Sequence, residues 1–196
     1  LKVVAIRETN VDPGSRVAKR HPHTNHIPSV KVVAARLFHQ DTSVHRPFEP
    51  RIQSAFADEV DTIATKHGVN PLLIAAIIEV ESAGNTFAIR YEPGWNYFIE
   101  TGARGMSRAT EEYQQKVSWG LMQVMGTVAR EHGFDGPFLS ALCQPSIGIE
   151  YGVRHFRKQL DRYNGSEVDA VAAYNAGTVV KRSGADYANQ SYVTKV

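Results

Sequence analysis

Apolar residues recur along most of the chain at helical spacing. Ile52, Phe56, Val60 and Ile63 follow one another at intervals of four, four and three, which predicts an amphipathic helix ended by Gly68. Asn70 and Pro71 then supply an N-cap followed by proline at the first helical position. The segment they open, PLLIAAIIEVES, is apolar on nearly every side and belongs at the centre of a helical domain. Gly84 and Asn85 mark its end. Further helices are predicted from Thr127 to Gly133, from Pro145 to Tyr163 with Ile149, Val153, Phe156 and Leu160 on one stripe, and from Val168 to Ala176. Ser166 and Asp169 have the spacing of a capping box for the last of these. Between Thr86 and Val117 no periodicity is evident, and Tyr91, Trp95, Tyr97 and Phe98 cluster around Pro93 and Gly94, so this stretch reads as a long functional loop. The fold class is mainly α.

Residues 1 to 50 have another character. They hold five of the eight histidines, eight Lys or Arg against four Asp or Glu, and prolines at 13, 22, 28, 47 and 50. They read as a basic extension of limited regular structure, with a strand over the first six residues and a short helix around Val30 to Phe38 as its only candidate elements. His21, His23 and His26 have no accompanying Cys or carboxylate and match no standard metal spacing, so no metal or other cofactor is expected. The remaining residues, 51 to 196, form the domain proper.

Composition narrows the function. With 42% hydrophobic and 21% charged residues the chain has the profile of a folded globular domain. A net charge of +2 does not suggest a nucleic-acid binder, though a slight basic bias suits an anionic polymer. The longest apolar run, Leu72 to Ile78, falls far short of the ~20 residues that span a bilayer. The first residues lack the pattern of a secretory signal, so export would follow processing or another route. Cys143, the only cysteine, forms no intrachain disulfide and reads as core packing.

The candidate chemistry begins at Glu81, a carboxyl at the C-terminal end of the most apolar helix. Burial penalises its anion and the negative end of the helix dipole acts in the same direction, so its proton is held towards neutral pH, as a general acid requires. Glu79 projects from another side of the helix and reads as solvent-facing. The segments HGVNPLLIAAIIEVESAGN, SWGLMQVMGTVARE, QPSIGIEYGVRHF and AVAAYNAG resemble, in order, the four blocks of the soluble lytic transglycosylase (SLT) family related to goose-type lysozyme. The resemblance implies a lysozyme-like helical domain that cleaves the MurNAc to GlcNAc linkage of peptidoglycan, with a 1,6-anhydro end on the product.

Carried over residue by residue, the resemblance makes Glu81 the catalytic acid and base and sets Ser82 near the scissile sugar. Ser118, Gly120, Met122 and Gln123 would line the cleft, Gly120 by letting the backbone approach substrate. Tyr174 would lie by the carboxylate and Asn175 would contact sugar. The implied partner is the glycan strand, with no nucleic acid and no membrane span, and the implied place of action is the cell wall, periplasmic or extracellular. Two departures stand out. Roughly two dozen residues are inserted between Ser82 and Ser118, as in phage-encoded members, which points to a virion or lysis enzyme whose N-terminal extension meets other virion or lysis proteins. The insertion offers Tyr91, Trp95 and Tyr97 as an extra sugar subsite. It also offers Glu92 and Glu100 as a second carboxylate that would make the enzyme a lysozyme-like hydrolase. A non-catalytic wall-binding or virion module is the alternative of another class. The second departure is Gly148, where the family usually has asparagine.

Overall fold

The computed structural model describes residues 56–99, 104–182 and 186–196. Predictions that fall on residues 1 to 55, including the basic extension, its candidate strand and helix, the three histidines and Ile52, lie outside the described residues, as does Glu100.

The domain is mainly α, as its periodicity predicts. Two helices open it, α1 (Ala57–Lys66) and α2 (Pro71–Ser82). Asn70 caps α2 with its side chain accepting from the Leu72 N–H at 3.1 Å, and Pro71 occupies the first turn. Ile74 and Ile77 of α2 are fully buried, packed in one cluster with Val60 and Ala64 of α1. The same cluster holds Ile149, Val153, Phe156 and Leu160 of α5 (Pro145–Arg162) and Ala170 and Val171 of α6 (Glu167–Ala176). Each fully buried isoleucine or leucine contributes about 1.5–3 kcal/mol. The stripe predicted on α5 is thus the face that meets α1, α2 and α6.

Helix α2 ends one residue before its glycine. Ala83 takes the left-handed conformation (φ 50°) and its N–H returns to the Glu79 carbonyl. An L-residue there costs roughly 1–2 kcal/mol, a strain stored two positions from Glu81.

The insertion differs from the predicted loop. It contains a strand, β1 (Ile89–Tyr91), and an eight-residue helix, α3 (Arg108–Gln115), capped by Ser107. The inward face of α3 is polar, with Glu111, Gln114 and Gln115 all buried. Glu111 is paired with the fully buried Arg130 guanidinium through two bonds of 2.7 and 3.0 Å. Arg130 comes from α4 (Gly126–Glu131) and also donates to the Phe134 and Gly136 carbonyls. Gln115 fills its amide completely. Its Oε1 accepts from the Ile99 N–H and lies 2.8 Å from the Thr127 hydroxyl, while its Nε2 donates to the Ile99 carbonyl and to Glu111. A polar network therefore takes the place of an apolar face, and each of these charges and amides has its partner.

Strands β1, β2 (Val117–Trp119) and β3 (Val124–Met125) form a small antiparallel sheet in that order. Its register aligns Arg90 with Ser118 and Ser118 with Met125, so these three share one face. A short 3-10 segment, Leu139–Cys143, packs behind it. The Leu142 carbonyl there faces both Gly120 and Gly148, and a Cβ at either glycine would collide with it. Gly148 is thus required by the close approach of α5 to this segment. Cys143 is half-buried against the core, and burial pushes its thiol up. After α6 the chain makes a bridge between Lys181 and Tyr187 and a final turn of helix, α7 (Gln190–Val193).

Replacing Arg130 with methionine strands a buried carboxylate, and Arg130→Met should cost about 3–5 kcal/mol in urea unfolding. Adding Glu111→Leu should recover part of that loss, because the carboxylate left with Gln115 and the more distant Arg104 is then gone while the Phe134 and Gly136 carbonyls still lack their donor.

Candidate functional site

A cavity of about 460 Å³ opens where the end of α2, the sheet face, α5 and the end of α6 meet. Glu81 lies in its wall, on the last turn of α2 and half-buried. Burial raises its pKa above the ordinary glutamate range, and two neighbours oppose the shift: the Tyr192 hydroxyl and the positive charge of Arg90. Tyr192 Oη donates to Glu81 Oε1 at 2.7 Å. Burial first, then the charge of Glu81, holds the tyrosine's own pKa far above its usual value, so it remains a donor. The carboxyl is therefore a proton store with one fixed oxygen.

The sheet supplies the next wall. Arg90, Ser118 and Met125, the row aligned across the three strands, all line the cavity. Glu92 lines it too, its carboxylate paired with the Arg90 guanidinium. Gln123 enters with a left-handed backbone (φ 46°) and donates from Nε2 to the Ala88 and Gly120 carbonyls, both at 2.9 Å. Its Oε1 keeps no partner among the described residues, which leaves an acceptor for a ligand. Trp95 adds an aromatic face, held by its indole N–H on the Tyr97 carbonyl at 2.6 Å.

The last wall comes from α5 and α6. Tyr174 is tilted against the His155 ring, and its hydroxyl donates to the Met122 carbonyl at 2.7 Å. Glu81 is close enough that its charge, after burial, raises the Tyr174 pKa. Asn175 has its Oδ1 taken by Asn189 Nδ2 at 3.0 Å, which leaves its own amide N–H groups for a ligand.

Among the residues singled out in the sequence, the cavity brings together Glu81, Ser118, Gln123, Tyr174, Asn175 and Trp95. Five others are placed elsewhere. Met122 is fully buried with its side chain against Gly152 of α5, so it is core and only its carbonyl serves the site. Gly120 brings the backbone close to the Leu142 carbonyl rather than to the cavity. Tyr91 alternates with Arg90 along β1, stacks on Tyr113 at 5.1 Å and points away. Tyr97 contributes its carbonyl, bonded by Trp95 and Thr127. Ser82 Oγ sits 2.8 Å from the Leu121 carbonyl and 3.1 Å from that of Ile78, tying the end of α2 to the turn after β2.

Tyr192, His155 and Asn189 are the residues that sequence reasoning missed. His155 stands on the predicted α5, where alternation with the apolar stripe hides it, while Tyr192 and Asn189 lie in a final segment too short for periodicity. Among the described residues no cluster of His, Cys, Asp and Glu has metal-holding geometry, and no helix is long and apolar enough to cross a membrane.

Comparison with known families matches residues 59–193 to the Transglycosylase SLT domain. Among solved structures the chain is similar to an inactive mutant of lytic transglycosylase Slt from Pseudomonas aeruginosa, with 23% identity over 74% of this chain and a TM-score of 0.46. The chain spans 18% of the length of that protein.

The Tyr192 hydrogen bond favours the carboxylate over the acid. Removing it should therefore move ionisation to higher pH: in Tyr192→Phe the Glu81 carboxyl, followed by carbon-13 NMR titration, should titrate above its position in the parent chain. An unchanged or lower midpoint would contradict the contact.

Proposed function

The chain belongs to the Transglycosylase SLT domain family, and we propose that it is a peptidoglycan lytic transglycosylase in which Glu81 is the catalytic acid and base. One observation carries the assignment to this residue: a half-buried carboxyl with a raised pKa stands in the wall of the cavity, fixed by a tyrosine hydroxyl. A glycosidic oxygen leaves only when it is protonated, and a carboxyl that keeps its proton near neutral pH can deliver it.

The steps follow from having one such group. Glu81 gives its proton to the glycosidic oxygen as the bond to the MurNAc C1 breaks, and the substrate's own N-acetyl oxygen assists at C1. The resulting carboxylate, stabilised by Tyr192, then takes the proton of the MurNAc C6 hydroxyl while that oxygen closes onto C1. Glu81 is returned protonated, no water is consumed, and the sugar ends as its 1,6-anhydro form. Nucleophile and electrophile belong to one molecule, so the second step gains the rate advantage of proximity and needs no second enzyme carboxylate.

The other wall residues take roles in holding substrate. Gln123 offers an acceptor, Asn175 a donor, and Ser118 a hydroxyl beside Arg90, while the Trp95 face suits the apolar side of a sugar ring. Tyr174 acts through the Met122 carbonyl to hold α6 against the turn that carries Gln123.

Glu92 favours a second reading, because it shares the cavity and could hold a water for hydrolysis. Its Oε1 is paired with the Arg90 guanidinium, and the transglycosylase route is preferred because it needs no second carboxylate. Action on peptidoglycan sets the working place outside the cytoplasm, in the periplasm or beyond it. The insertion between Ser82 and Ser118 further suggests a phage virion or lysis enzyme.

Glu81→Gln keeps the shape and a hydrogen-bond acceptor for Tyr192 but has no proton to give. Turbidity loss of purified cell walls should fall at least about 10²–10⁴-fold while urea unfolding remains cooperative. Undiminished clearing by this variant would overturn the assignment.

A further inference from the structure

His155 stands in the cavity wall, and the mechanism above has no task for it. It projects from α5, with its ring centroid 5.3 Å from that of Tyr174. On its far side Nδ1 lies 3.3 Å from Nε2 of His132, the residue that follows α4. Nε2 of His155 has no partner among the described residues. It is not sealed away either, since the Gln159 Oε1 is the buried side-chain atom that lacks one among them. Nε2 thus keeps some exposure on a residue that lines the cavity.

Both rings are biased towards the neutral form. Burial, His132 and Lys158 bring the His155 pKa down to about 3, while burial and Lys158 lower that of His132 against the opposing charge of Glu131. Lys158 is itself paired with Glu131, and Arg154 is paired with Glu150. Bonded to His132 through Nδ1, a neutral His155 offers Nε2 as a single donor or acceptor, according to which ring holds the shared proton. Such a group does not compensate a carboxylate. Beside it the wall is apolar: Val128 lies one turn before His132 on the same face of α4 and lines the cavity, as does Tyr174. One neutral hydrogen bond next to an apolar patch matches an amide bearing a methyl group.

We infer that His155 is a sugar-recognition residue whose Nε2 hydrogen-bonds the acetamido group of a bound glycan, with His132 behind it as the orienting residue. This rests on the glycan reading of the cavity and adds to it the residue that would contact the acetamido group.

Asparagine and glutamine separate this role from a structural one. An asparagine amide reproduces the Nδ1 position that meets His132, whereas a glutamine amide reproduces the Nε2 position that meets the cavity. Calorimetric titration of the full chain carrying Glu81→Gln, which prevents turnover, would compare the β-1,4-linked N-acetylglucosamine tetramer with cellotetraose, which has hydroxyls in place of acetamido groups. The acetylated tetramer should bind more tightly. Adding His155→Asn should weaken it about three- to tenfold and leave cellotetraose unchanged, and adding His155→Gln should stay within about twofold of the parent. The reverse pattern, with glutamine weak and asparagine intact, would reduce His155 to a packing partner of His132. Equal losses for both oligomers, or no preference in the parent, would also overturn the inference. Wall clearing by the unsubstituted chain is read separately: a chain that clears walls yet gives any of these results loses the His155 role alone, and one that clears none loses the transglycosylase reading itself.

Discussion

Helix α2 is apolar on nearly every side, yet the fold buries one face of it and leaves Leu72 and Glu79 exposed, and the burial of that one face sets where Glu81 stands. Ile74, Ile77 and Ile78, at i, i+3 and i+4, share one face of the helix, and that face is buried in the core that also holds residues of α1, α5 and α6. The last turn of the helix lies at the margin of that core, where the cavity opens. Glu81 stands there, too deep to be hydrated as a surface glutamate and too open to be a core residue. Its raised pKa follows from that position, and the backbone around it is fastened to keep it there: Ser82 ties to the Leu121 carbonyl, Ala83 accepts a left-handed turn, and Tyr192 closes from the far end of the chain.

The insertion is stabilised by different physics. Its helix buries carboxylate and amide groups, and the Arg130–Glu111–Gln115–Thr127 network gives them partners. Through Gln115 and Thr127 that network also grips the main chain at Tyr97 and Ile99, and through the Tyr97 carbonyl it holds the Trp95 indole. An aromatic wall beside the cavity is thereby attached to the core by hydrogen bonds rather than by apolar packing. Removing one member would leave the others buried and unpaired, which makes the network stiff and intolerant of partial change.

This contrast explains what the sequence could disclose. Helices α2, α5 and α6 bury apolar faces, and their periodicity, caps and prolines mark them to within a residue or two. Helix α3 was hidden because Glu111, Gln114 and Gln115 look like a solvated face until Arg130 is seen beneath them. Motif resemblance pointed to the carboxyl and to four more residues that line the cavity, Ser118, Gln123, Tyr174 and Asn175, yet it gave Gly120 and Met122 to the cleft when one makes room for the Leu142 carbonyl and the other fills the core under Gly152. Tyr192 carried no signal at all. It sits on four helical residues near the end of the chain, 111 positions from the carboxyl it bonds, and only the folded chain brings them together.

The central claim is that one buried carboxyl works alone, using the substrate's own hydroxyl in place of water. Digesting purified peptidoglycan in heavy-oxygen water and weighing the released fragments tests this directly. The account predicts fragments one water lighter than hydrolysis products, with no heavy oxygen incorporated. Reducing ends that carry the label would contradict it and would turn attention to Glu92 or another group able to activate water.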